Sequence, residues 1–276
     1  MKYRLKATAQ HGVLYLVFIL LALFYLFPLY TLINTSLKSN EEIIWGPVAP
    51  VKHIVWGSYR DAFYEIRRPI LNTLIITSCA TVLSSFLGAM SGYIFSKYRF
   101  TGSNLIFFMI AIGLYIAPQS ILIPLVRFMG LIGLYNTYAG LILTHTGYGM
   151  PYTTLLFKNY YESIPNSLIE SAKMDGCTTS RTFREIMLPL SMPGFAVVGI
   201  FQFTNIWNEY LFALTLTRGK QAQPATVAVA NLVGTTVAAW NVQMAGAAMI
   251  VLPVLLVYVF LIRTIVKGLL LGSIKG

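Results

Sequence analysis

Ser167-Leu-Ile-Glu170-Ser-Ala-Lys-Met-Asp-Gly176, followed after nine residues by Ile186-Met-Leu-Pro189, forms a polar island between two long apolar regions. Ser167 with Glu170 three residues on is a capping-box pattern, which predicts a helix running to about Asp175. Gly176 stops it, because the residue after a helix end often takes a left-handed backbone that glycine adopts at least cost. A second short helix is expected from Ser180, with Phe183, Ile186 and Met187 on one face and Pro189 preventing simple continuation. Helices this short are marginal alone in water, so their order has to come from packing.

The flanking regions identify what the island joins. The 276 residues are 57% hydrophobic and only 11% charged, too apolar for an ordinary soluble domain. An ionised side chain is costly in a bilayer core, so charge-free intervals of about 20 residues mark membrane spans. Six are expected, at about 12–33, 71–95, 104–125, 137–157, 193–214 and 244–262. Residues 158–189 then form a connecting loop and 263–276 a basic tail, within a single all-α membrane domain covering 1–276. The N-terminal apolar run is too long for a signal peptide and lacks a small-x-small cleavage pattern, so it is expected to remain as the first span. Residues 34–69, with Trp45 and Trp56, read as the longest outer loop, and 215–243 as another. Pro118 and Pro124 predict a break near the outer end of the third span, and Gly147, Gly149 and Pro151 argue against a straight fourth one.

The net charge of +11 has the distribution of an orientation signal rather than of a nucleic-acid surface. With the N-terminus inside, Lys2, Arg4, Lys6, Lys97, Arg99, Lys158, Lys173, Arg181, Arg184, Arg263, Lys267 and Lys275 lie on the cytoplasmic side, 12 of the 20 basic residues. Both termini and the island are thereby expected in the cytoplasm, and no nucleic-acid partner is expected. Cys79 and Cys177 fall in a span and in the island, which suits neither a disulfide nor a metal site. No phosphate loop, H-E-x-x-H motif or clustered ligand set is present, so neither ATP use, metal binding nor catalysis is expected of this chain. His145, without a nucleophile elbow nearby, reads as a structural histidine.

Span five is unusually polar for a membrane helix: Gln202, Asn205, Trp207, Asn208, Glu209 and Tyr210. Amides and a carboxylate hydrogen-bond hydroxyls while an aromatic face covers the apolar side of a sugar ring, so these residues are candidates for a substrate pathway. Bonding of Asn208 and Glu209 to neighbouring helices near the outer interface is the equal alternative.

The order Glu170, Ala172, Gly176, nine residues, Ile186, one residue, Leu188-Pro189 resembles the EAA loop of permease subunits in binding-protein-dependent ABC importers. Ser171 departs, standing where that family usually has alanine. Asn72-Thr-Leu, Trp207-Asn-Glu-Tyr and the tail Gly268-Leu-Leu-Leu-Gly-Ser-Ile-Lys-Gly276 are similar to sugar permeases related to the smaller maltose-type subunit. The resemblance implies a type I importer fold with six transmembrane helices in a bacterial or archaeal cytoplasmic membrane. It also implies a homologous permease as heterodimer partner, two ATPase subunits that bind ATP and magnesium, and an extracytoplasmic sugar-binding protein. Glu170, Ser171, Ala172, Asp175, Gly176, Ile186, Leu188 and Pro189 would dock on an ATPase subunit, and Gly268, Lys275 and Gly276 would reach the same subunits. No cofactor is implied for this chain. The EAA loop does not choose cargo, so a polyol, polyamine or phosphate stands beside sugar, and an autonomous channel further off.

Overall fold

The structure, a computed structural model, describes residues 2–233 and 239–273, with side chains described for 14–233 and 239–260. Its long and short helices are α1 (Lys2–Ser36), α2 (Asn40–Trp45), α3 (Gly57–Lys97), α4 (Ser103–Ile112), α5 (Pro118–Leu131), α6 (Tyr138–Glu162), α7 (Ser167–Met174), α8 (Thr179–Thr182), α9 (Leu188–Leu190), α10 (Met192–Asn208), α11 (Leu211–Leu216), α12 (Ala225–Ala230) and α13 (Trp240–Ser273). Three stretches are long and apolar enough to cross a membrane: Leu14–Ser36, Gly57–Lys97 and Trp240–Phe260. Two bent pairs make up to five, Ser103–Tyr115 with Pro118–Leu131 and Thr179–Leu190 with Met192–Asn208. The remaining long helix, α6, carries the buried polar residues Thr144, His145, Thr146, Thr153 and Thr154.

Several expected boundaries move. The second span begins at Gly57, because Arg60, Asp61, Glu65, Arg67 and Arg68 form helical turns ahead of the apolar stretch instead of loop. The expected outer loop therefore ends there, and it contains α2, capped by Ser39, which accepts from the Glu42 amide. The third span is interrupted: a 3-10 turn, Gly113–Tyr115, is followed by a 103° bend, and Pro118 starts α5 where its missing N–H is harmless. The Tyr148 hydroxyl donates to the freed Ile116 carbonyl at 2.7 Å, and Ser120 to that of Ala117. The fifth span also stops early, at Asn208.

The chain forms two compact units, 1–67 with 229–251 and 68–228 with 252–276. In the first, Lys38 is fully buried at the end of α1, and its ammonium donates to the carbonyls of Gly46, Pro47 and Ala49. Asn34 adds bonds to the Ala49 carbonyl and Val51 amide, so the loop is folded onto the helix end as backbone polar groups require. In the second unit, Gly88 and Gly92 bring α3 against α6. A Cβ on them would lie 2.3 Å from Thr153 Oγ1 and 2.7 Å from the Lys158 amide nitrogen, a small-residue contact of the kind that lets membrane helices approach closely. Thr153 donates to the Ser84 carbonyl across that seam. One aromatic core of the unit gathers Tyr93, Phe157, Tyr161, Ile169, Phe183, Met187 and Val198; another gathers Ile76, Met129, Leu141, Phe212 and Leu216.

Candidate functional site: a coupling loop and a polar cavity

The loop between α6 and α10 is built on the first of those cores. Ile169 is part of it at 4% exposed, and Ala172, three residues on along α7, is buried as well at 3%, which supplies the order that propensity alone does not. Asn166 precedes α7 without a side-chain cap, so the expected Ser167 cap is displaced by one residue. The Asn166 oxygen instead accepts from Lys97 Nζ at 2.9 Å, and the same ammonium reaches the Ile164 carbonyl at 2.5 Å. At the other end Gly176 has φ +76°; its amide donates to Lys173 and the Cys177 amide to Ala172, the paired bonds of a Schellman stop. Thr178, not Ser180, caps α8 by accepting from the Arg181 amide. Arg181 pairs with Glu185 at 3.0 Å. A π turn over Phe183–Met187 carries the chain into α9.

The structure divides the expected docking residues. Glu170, Ser171, Asp175, Gly176 and Pro189 are exposed, Ile186 and Leu188 half-buried, and Ala172 buried. Ala172 therefore seats the helix rather than presenting a surface. Leu168 and Met174, 41% and 89% exposed, were not singled out by sequence reasoning; their apolar character in a short polar helix was the available signal. Gly268 lies within α13, and Lys275 and Gly276 fall outside the described residues.

The expected pathway residues divide as well. Gln202, Asn205 and Glu209, at i, i+3 and i+7 along and just past α10, line a cavity of about 240 Å³. Across it stand His145, Tyr148, Gly149 and Tyr152, one face of α6 at the same periodicity. Gly149 makes room: a Cβ there would be 1.9 Å from Gln202 Nε2. Trp207 is 1% exposed and stacks on Phe203 at 5.5 Å, so it belongs to the packing. Asn208 and Tyr210 are exposed and are not among the cavity's lining residues. Sequence reasoning missed the tyrosines, although His145, Tyr148 and Tyr152 at three- and four-residue steps were the signal.

Glu209 has a double position. Its backbone is extended, with ψ 132°, where α10 ends, and its carboxylate accepts the Phe212 and Ala213 amides at 2.8 and 3.1 Å. An anion at a helix N-terminus satisfies orphan donors and the dipole together, which is why the span breaks here without a proline. His145 Nε2 lies 4.0 Å from the same carboxylate. The arrangement holds hydrogen-bonding groups and two tyrosines around a space of ring size. Among the described residues no three His, Cys, Asp or Glu converge as a metal set.

Residues 80–270 match the family of binding-protein-dependent transport system inner membrane components. The chain belongs to that family. A probable ABC transporter permease protein of Pyrococcus horikoshii is 48% identical over 98% of this chain and 99% of its own length. A xylose/arabinose import permease protein of Haloferax volcanii is 33% identical over 89% of this chain and 87% of its own. A bacterial ABC transporter involved in import of the acidic polysaccharide alginate shares the fold, with a TM-score of 0.78 and 23% identity over 93% of this chain and 97% of that one. The expected permease identity and importer fold therefore hold, and the permease is a transport component of the inner membrane rather than an enzyme.

Proposed function

We propose that this permease carries sugar through an ATP-driven importer, in a pathway shared with a homologous permease. Its other partners are two cytoplasmic ATPase subunits, which bind ATP and magnesium, and an extracytoplasmic sugar-binding protein. The carrying observation is the cavity between α6 and α10. Gln202, Asn205 and Glu209 offer amide and carboxylate groups to hydroxyls, Tyr148 and Tyr152 offer ring faces, and no lysine or arginine lines it. The xylose/arabinose cargo named for the Haloferax relative supports the same class.

In this reading the chain crosses the membrane six times with both termini and the α7–α9 loop in the cytoplasm, which the basic bias supports. There Glu170, Ser171 and Met174 form the face offered to an ATPase subunit, with the α13 tail approaching the same partner. ATP-driven closure of the ATPase pair moves α7, and its base of Ile169 and Ala172 passes that motion to α3, α6 and α10. A near-complete switch of the pathway needs about 5.5 kcal/mol of differential binding. The test is uptake of labelled pentoses and hexoses by the whole importer in proteoliposomes with internal ATP. Uptake that needs ATP and the binding protein supports the reading; a pore that conducts without the ATPase subunits overturns it.

A further inference from the structure

On α3, Val82, Phe86 and Met90 are 67%, 43% and 44% exposed and line a furrow against α8, α9 and α10. Two cavities of about 250 and 290 Å³ compose it, with Phe86 lining both. Its two ends differ in chemistry. The end beside Thr81 is lined by Met192, Phe195 and Gly199. The end beside Ile94 is lined by the hydroxyl residues Thr179 and Ser180 and by Arg184, which has no ion pair among the described residues, whereas Arg181 is held by Glu185. No aspartate or glutamate lines either part.

The length decides the occupant. From Thr81 to Ile94, α3 rises ~20 Å at about 1.5 Å per residue. One leaflet of a bilayer has ~15 Å of hydrocarbon plus a headgroup layer of about 5 Å. An apolar slot one leaflet deep, ending in a cation and two hydroxyls, is complementary to a chain with a phosphate at its end. Basic pockets between membrane helices on the cytoplasmic side bind anionic headgroups in this way. We propose that the furrow holds one phospholipid of the inner leaflet, its phosphate on Arg184, Thr179 and Ser180 and one hydrocarbon chain along Met90, Phe86 and Val82. The site adjoins the π turn of the coupling loop through Phe183, so the lipid braces the joint from its membrane side. The inference rests on the importer reading only in assigning this end to the inner leaflet.

A helix of the second permease is the competing occupant, because the buried hydroxyls of Thr81 and Ser85 in the wall have no hydrogen-bond partner. The experiment uses the whole importer in nanodiscs containing phosphatidylglycerol with a photoreactive group on its chain, and maps the labelled peptides. Label is expected on residues 82–94. Arg184→Gln should lower it about fivefold, the factor equivalent to ~1 kcal/mol for one basic residue at the surface. Gly199→Leu should abolish it, since Gly199 lines the furrow and a Cβ there meets nothing within 4 Å, which leaves room for a side chain to occupy the slot. Label absent from 82–94, or unchanged in both variants, overturns the proposal. So does efficient disulfide formation, under an added oxidant, between Val82→Cys and a cysteine introduced in a membrane helix of the partner permease. ATP-driven uptake by the same purified complex reconstituted in proteoliposomes keeps the two readings apart: a transporting complex without label refutes only the lipid.

Discussion

The coupling loop and the polar cavity lie in the same compact unit, yet they are made by opposite devices. The loop is a surface held by a small buried base: Ile169 and Ala172 go inward and nearly everything else on α7 faces out. The cavity is an interior held by polar groups, with Glu209 fixing α11 while also facing the space. A surface of this kind is lost by disturbing its base, whereas an interior of this kind is altered by changing one atom that faces it. Variants should therefore separate ATPase attachment from passage of cargo.

The largest effect is expected where α6 packs on α10 beneath the loop. Phe157 is fully buried and packs on Phe195 with centroids 4.6 Å apart, so Phe157→Ala should cost about 3–5 kcal/mol. Thermal unfolding of the purified complex should shift strongly downward, and both ATPase recovery and uptake should fall. Ala172→Leu presses on the base alone; overpacking of about 1–3 kcal/mol should unseat α7. Co-purification of ATPase subunits should then drop while the permease pair survives. Intact recovery would break the claim that Ala172 seats the helix.

Gly176→Leu sharpens the comparison further. Nothing lies within 4 Å of a Cβ at this position, so the variant reports backbone strain alone, ~1–2 kcal/mol for a left-handed residue with a side chain. Weaker ATPase attachment is the expected reading, checked by titrating detergent-solubilised complexes with salt. Glu209→Gln is the mildest in stability: one helix-end amide loses its acceptor, about 1 kcal/mol. Uptake should fall while subunit recovery stays normal, whereas the loop variants should lose both.

The loop was legible because its information is linear. The Glu170-to-Pro189 spacing is a local pattern, and Gly176 acts through its own dihedral angle. The helix starts at Asn166 and Thr178 were missed by one and two residues for different reasons: Asn166 accepts from Lys97, 69 positions away, which spacing cannot reveal, whereas Thr178 bonds the Arg181 amide three residues on, one of several hydroxyl residues in a row that could each have served. The cavity was half legible. Its α10 side showed as polar residues in a span, but Trp207 and Gln202 look alike in sequence until the helix has a direction, and the α6 side depends on which face meets α10. The break after Asn208 had no proline to announce it. It follows from the Glu209 carboxylate taking the amides three and four residues on, a local bond that competes with helix continuation.

The most direct measurement is ATP-driven uptake of labelled sugar by the reconstituted importer, comparing wild type, Ala172→Leu and Glu209→Gln with ATPase subunits quantified in the same vesicles. The account predicts that both variants lose uptake and that only Ala172→Leu loses ATPase subunits. Full uptake by Glu209→Gln, or full ATPase attachment and uptake by Ala172→Leu, would contradict it.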